Sequence, residues 1–464
     1  MTKSPFAKRD EQHELSRRAL IKWSLAAGAA LGVSRSKICE ILDKTAGKGV
    51  AYAAATNATK RSFHIIEGNG GLSRYTQFWP LPAIAQAKNA QFSWNYNGQD
   101  VTVAGTKNPL TVGPQTAWAS LPAARQVTAF LCGANETHTK NPASPSKLGA
   151  NSLYGVVSAL QSVSNATVPL ITVGGTTPGT APGGARPAAV ANADGIAALF
   201  GSAASQTGGL LSTMTDSQLY AAQYRAYVQL NRAANRPTTK IGYTSAAGAS
   251  SLLGQNLTAK LAVTPADLTK YGVDASVPTA IANIARAMII STKAFGMNLT
   301  NSVMIPGLED DPHGEFDSGN INTSIPNLKK IFDAFMADLT ATSDDVTNVR
   351  LVDDTVITIT GDTYKAPMNR AGWGDNTPGN TNIMYVYSAG MLDAGWHGSI
   401  SAAGAVTGYG ANGQPATYNS TTTANVATAA VAFAIANADE RAISTFTNGT
   451  GVTVGGVFGP LKAT

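Results

Sequence analysis

The segment 354-DTVITITGDTYKAP-367 decides the fold. Thr355 to Thr360 is β-branched at every position, so the run predicts a strand buried on both faces, as in the middle of a parallel sheet. Its end carries Asp362. Upstream, 301-NSVMIPGLEDDPHGEFDSG-319 repeats the arrangement: an apolar run, Val303 to Ile305, breaks at Pro306-Gly307 into a loop with five carboxylates around His313. Downstream, 371-AGWGDNTPGNTNIMYVYSAG-390 places Asp375 in a Gly/Asn/Pro loop ahead of another strand-like run, Ile383 to Tyr387. Ligands of open α/β sheets collect outside the carboxyl ends of the strands, so acidic clusters recurring there point to a site.

Working outward, 324-SIPNLKKIFDAFMADLTA-341 puts Ile325, Leu328, Ile331, Phe332, Phe335 and Leu339 on one face, the pattern of a crossover helix between parallel strands. Further strands are expected at Phe63 to Ile66, in 126-QVTAFLCG-133 and in 168-VPLITVGG-175. Helices are expected at 152–162, 216–236, 278–296 and 422–443, with 451–459 closing the chain as a strand or edge segment. The stretch 91–121 is short and irregular in pattern, and the Gly/Pro/Thr-rich 174–187 is a surface loop. Alternation of strands and helices predicts an α/β fold: a doubly wound, mostly parallel sheet with helices on both faces, in one domain over 54–464.

Residues 1–53 read as a leader. In 16-SRRALIK-22 two adjacent arginines precede apolar residues, and 23-WSLAAGAALGV-33 is an h-region too short to span a bilayer. This resembles a twin-arginine export signal, with cleavage expected after Ala51-Tyr52-Ala53, a periplasmic or extracellular destination, the twin-arginine translocase as a partner during export, and no transmembrane anchor afterwards. The competing reading is a basic amphipathic helix that stays on the protein. The net charge of +6 belongs mostly to this leader; beyond residue 53 there are 24 basic and 23 acidic residues. Nothing in that balance calls for nucleic acid as a partner. Cys39 lies in the leader and Cys132 ends an apolar run, so the exported chain has no internal disulfide and Cys132 reads as a small buried hydrophobe.

The order of these motifs resembles a family of twin-arginine-exported bacterial proteins of unknown function in the alkaline phosphatase and sulfatase superfamily. The counterparts are 68-GNGGL-72 for an early Gly-x-Asp-Gly-Leu turn, Thr137-His138 for a Ser-His loop, Asp311-Pro312-His313 for an Asp-x-His loop, Thr355 to Asp362 for a polar strand end, and Gly374-Asp375-Asn376 for an Asp-His loop. The resemblance implies an alkaline-phosphatase-like fold, a site holding one or two divalent metals, and Thr137 as the nucleophile of a phosphate or sulfate ester hydrolase. The chain departs from that pattern: Gly70 stands where the metal carboxylate belongs, Asn376 where an imidazole belongs, and Thr363 follows Asp362 in place of histidine. The remaining set is Asp311, His313, Asp362 and Asp375, with His138 and His397 as recruits. Its oxygen-rich chemistry suits one calcium or magnesium ion better than zinc.

Each residue also has a plain structural reading. Asp311 can belong to a solvated acidic loop, Asp362 to an Asx-turn, His138 to a polar loop cap, His397 to packing beside Trp396, and His64 to the core. Two functional classes follow: a metal-dependent ester hydrolase using a reduced ligand set, or an exported protein that keeps the fold without the full two-metal chemistry and binds a small-molecule or envelope ligand. Replacing Arg17 and Arg18 together by lysine is expected to leave precursor in the cytoplasm. Unchanged export in a cell-fractionation assay contradicts the twin-arginine reading.

Overall fold

The structure, a computed structural model, describes residues 59–86, 101–102, 109–113, 115–134, 146–162, 166–201, 256–309, 320–362, 364 and 377–460. All of them belong to one compact unit, Asn57–Thr464. The leader and the expected helix at 216–236 lie outside the described residues.

Its principal elements, in chain order, are β1 (Arg61–Glu67), β2 (Thr128–Cys132), α1 (Leu153–Gln161), β3 (Val168–Val173), β4 (Ala188–Val190), α2 (Thr279–Gly296), β5 (Thr300–Pro306), α3 (Asn320–Ala341), β6 (Thr355–Gly361), β7 (Asn382–Tyr387), β8 (Gly395–His397), α4 (Ser420–Ile435) and α5 (Glu440–Thr447). The eight strands form one sheet in the order β8-β2-β7-β6-β1-β5-β3-β4. Only β7 runs antiparallel to its neighbours, β6 and β2. Helices cover both faces, so the mixed α/β, mostly parallel architecture expected from the sequence is what the chain adopts.

Alternation along β1 shows which side chain meets which layer. Ser62 and His64 face α1: the Ser62 hydroxyl meets Gln161 at 3.4 Å and the His64 ring lies 5.0 Å from that of Tyr154. Phe63 faces α3, its ring 5.0 Å from Phe335. Helix α4 joins α1 on the first face, where Thr423 donates to the Cys132 carbonyl at 3.0 Å. Helix α2 packs beside α3 on the second. As Thr355 to Thr360 demanded, every position of β6 is buried, because neighbours flank it on both sides and helices cover it above and below.

The amino edge of the sheet is pinned by charge. Arg61, buried at the start of β1, donates to Asp344 and Asp354 and to the Asn298 side chain. Burial lowers the Arg61 pKa, and the adjacent Asp354 carboxylate opposes that shift.

Two expectations near the C-terminus need correction. The helix expected over 422–443 is two helices, because Asn437 and Ala438 take positive φ (56° and 60°) and Asp439 caps a new start by accepting from Arg441 N at 3.1 Å. Residues 451–459 form no named strand: Gly451 and Gly456 are left-handed, and only an isolated bridge joins Gly455 to Gly459. The loop 174–187 is without helix or strand and mostly exposed, as expected, and leads into β4, which the sequence pattern did not reveal. No helix among the described residues is long and apolar enough to cross a membrane.

Candidate functional site

Parallel strands bring their carboxyl ends to one edge, and the antiparallel β7 contributes its first residue to that same edge. There Asn382 of β7 donates its side-chain amide to the Gly361 carbonyl at the end of β6, and Cys132 at the end of β2 is the ladder partner of Asn382. The chain leaves β1 for a 3-10 helix, Gly71–Gln77, whose Tyr75 ring lies 5.7 Å from Phe332 of α3. It leaves β2 for α1, on the opposite face. The ends of β6 and β7 lie between these diverging connections, the place where open α/β sheets form a crevice.

Two acidic residues stand at this edge. Asp362 follows the last residue of β6 and is fully buried; its main-chain N–H donates to the Glu67 carbonyl at 3.1 Å. Glu67, the last residue of β1, is also fully buried. One oxygen of its carboxylate accepts from Leu308 N, just beyond β5. The same loop is tied to the mouth of β1 by Gly307 N to the Ile66 carbonyl at 2.7 Å, Gly68 N to the Leu308 carbonyl at 2.9 Å, and the Asn69 amide to the Glu309 carbonyl at 2.8 Å.

Glycines line this junction because no side chain fits. A Cβ on Gly307 would collide with the Glu67 carboxylate, one on Gly71 with the Leu308 carbonyl, and one on Gly361 with the Glu67 main chain. The resemblance places a carboxylate at position 70, but Gly70 has a φ of 88°, which disfavours any residue with a Cβ. The buried carboxylate sits three residues earlier, at Glu67. Its signal was an acidic residue ending an otherwise apolar run just before a glycine-rich turn. Burial, and then the Glu67 carboxylate beside it, push the Tyr75 hydroxyl well above its ordinary pKa. Arg74, also buried, precedes it.

Of the residues singled out from sequence, Asp311, His313, Asp375, Thr137 and His138 lie outside the described residues. The described ends of the segments that carry them, Ala134, Glu309 and Thr377, follow or lead into strands at the carboxyl edge. Tyr364 and Thr381 close the gap between β6 and β7 with a 3.1 Å hydroxyl contact. His397 ends β8, at the margin of the sheet. Its ring stacks on Phe130 at 4.9 Å and is boxed by Phe458 at 5.0 Å and Tyr409 at 6.0 Å. Strands β2 and β7 separate β8 from β6, so His397 and Asp362 are about 14 Å apart across the sheet by strand spacing alone. The fold does not bring these two together.

His64 is fully buried, and its Nδ1 meets the Thr358 hydroxyl at 2.7 Å, in agreement with its reading as a core residue. Cys132 is a free, buried thiol whose pKa burial raises far above the usual range. Among the described residues no group of three or more His, Cys, Asp or Glu is placed to hold a metal ion.

Comparison with known proteins finds no matching family model, no matching curated sequence and no matching solved structure. The fold is that of a mixed α/β protein with an eight-stranded, mostly parallel sheet and buried acidic residues at its carboxyl edge.

Glu67→Ala is expected to lower stability by about 1–3 kcal/mol, since the Leu308 N–H is left buried without its acceptor. Gly307→Ala should be at least as damaging, because its Cβ meets the same carboxylate. Urea denaturation of both variants measures this, and wild-type midpoints contradict it. His64 gives a pH dependence of definite sign. Burial lowers its pKa to about 3, from about 6.5 in the unfolded chain, so its contribution is complete above pH 6.5 and declines as pH falls toward 3. The loss of stability between about pH 6.5 and 5 should be smaller in His64→Gln than in wild type. Parallel urea titrations at several pH values test it, and identical slopes contradict it.

Proposed function

We propose that this chain is an exported protein of alkaline-phosphatase-superfamily-like architecture that binds a small-molecule or envelope ligand at the carboxyl edge of its sheet, without full two-metal ester hydrolysis. The observation that carries this reading is the pair of buried carboxylate residues, Glu67 and Asp362, ending adjacent central strands where the connections diverge to opposite faces. Glu67 fastens the loop after β5 to the mouth of β1, and Asp362 brings a second buried acidic residue to the strand-end crevice where open α/β sheets collect ligands.

The donor chemistry argues for at most one divalent ion. Asp362, with Asp311, His313 and Asp375 carried by segments that meet this edge, offers mostly carboxylate oxygen, which suits calcium or magnesium and is poor in the nitrogen that zinc favours. His397 is too far across the sheet to complete that set. An ion held there would polarise an anionic ligand group, and Glu67 would act on it indirectly, by fastening the loop after β5 to the mouth of β1.

The hydrolase with a reduced ligand set, using Thr137 as nucleophile, is the second reading. It is favoured by Glu67, which supplies a buried acidic residue beside the turn where the sequence motif lacks one. The two readings separate on metal content and turnover. Mature protein dialysed against chelator is expected to retain no stoichiometric metal by mass spectrometry, to rebind at most one calcium or magnesium ion, and to show no turnover of aryl phosphate or aryl sulfate esters. Two ions that survive dialysis, with ester hydrolysis abolished in Asp362→Asn, would establish the hydrolase instead.

A further inference from the structure

Behind the carboxyl edge, on the face covered by α1 and α4, the core contains an unusual set of polar atoms. His64 and Thr358 are ladder partners on β1 and β6 and face the same side of the sheet. Tyr154 of α1 packs on His64 edge to face, with ring centroids 5.0 Å apart and planes at 76°. The Thr358 hydroxyl, already bonded to His64 Nδ1, is also the polar neighbour of the Tyr154 hydroxyl. Yet His64 Nε2, fully buried, has no hydrogen-bond partner among the described residues, and the buried Tyr154 hydroxyl has no polar neighbour there besides the Thr358 hydroxyl. The Thr360 hydroxyl, one pleat repeat nearer the edge on the same side of β6, likewise has no hydrogen-bond partner there.

Buried polar atoms without partners are rare in native proteins, and where several converge an ordered water commonly serves them. The inventory of donors and acceptors fits one such molecule. With His64 as its Nδ1–H tautomer, Nδ1–H donates to Thr358 Oγ1 and the Thr358 hydroxyl proton is available to Tyr154 Oη. Among the described residues the Tyr154 hydroxyl proton then has no acceptor, and His64 Nε2 in this tautomer is an acceptor without a donor. A water receiving from the first and donating to the second closes the circuit, and retains one proton and one lone pair for a further group such as Thr360 Oγ1.

We propose that His64, Thr358 and Tyr154 form an internal solvent site in which a single ordered water bridges Tyr154 Oη and His64 Nε2 and completes a closed hydrogen-bond ring. The ring ties α1 to the two central strands directly beneath the carboxyl edge and holds His64 as the neutral Nδ1–H tautomer. It is independent of the ligand reading above.

Two measurements on the mature protein test the ring. A high-resolution crystal structure is expected to show one solvent atom at about 2.7–3.2 Å from both His64 Nε2 and Tyr154 Oη. Imidazole nitrogen-15 NMR is expected to report the Nδ1–H tautomer, with the Nε2 resonance moving downfield in Tyr154→Phe as its water donor is lost. A dry site, a water touching only one of the two atoms, an Nε2–H tautomer in the wild type, or an Nε2 resonance unmoved in Tyr154→Phe would overturn the proposal. If Tyr154→Phe does not fold, the wild-type tautomer and the solvent density decide the question alone.

Discussion

An acidic side chain removed from water must be given hydrogen-bond partners within the protein. Glu67 meets that demand with a backbone N–H from the loop after β5, while its own carbonyl accepts from Asp362 at the end of β6. One residue thereby joins three segments that are far apart in sequence. The mouth of β1, the exit of β5 and the exit of β6 are fixed relative to one another before any ligand is considered. The glycines at 71, 307 and 361 follow from this junction, since each lies where a Cβ would occupy space already taken by the Glu67 carboxylate or by main chain.

The opposite end of β1 has a matching constraint. Arg61 is buried among Asp344, Asp354 and Asn298, so the central strand carries a buried cation at its start and a buried acid at its end. Sliding β1 by one residue would turn its apolar residues to the wrong faces and remove both charged groups from their partners. Register in the middle of this sheet is therefore specified by charge as well as by hydrophobic pattern.

How much of this was legible in the sequence depended on how local the signal was. Thr355 to Thr360 announced a doubly covered strand because β-branching at six successive positions has few other uses. The face of α3 was equally plain from Ile325, Leu328, Phe332 and Phe335. The break between α4 and α5 was hidden because Asn437 and Ala438 look compatible with a small-residue helix, and no glycine or proline marks the left-handed turn they adopt. The last segment, 451–459, has a strand-like spacing of valines, but its glycines take conformations a ladder cannot use. At the candidate site, Asp362 was legible from its place at the end of a strand. Glu67 was not, because a single acidic residue before a glycine-rich turn has no distinctive local pattern, and only the return of the loop after β5 shows what the carboxylate holds. The separation of His397 from Asp362 is set by strand order, which no local pattern encodes.

The sheet also tapers. Its central strands β1, β5 and β6 are seven residues long, whereas the outermost, β8 and β4, have three residues each. An outer strand is where a sheet can recruit a foreign chain, because its outward N–H and C=O groups are a template for further pairing. Three residues offer only a brief template, and on one side it ends at His397, whose ring is committed to an aromatic box. Among the described residues, the long apolar strands most prone to self-association thus lie in the interior of this sheet, and its described margins offer little to nucleate aggregation.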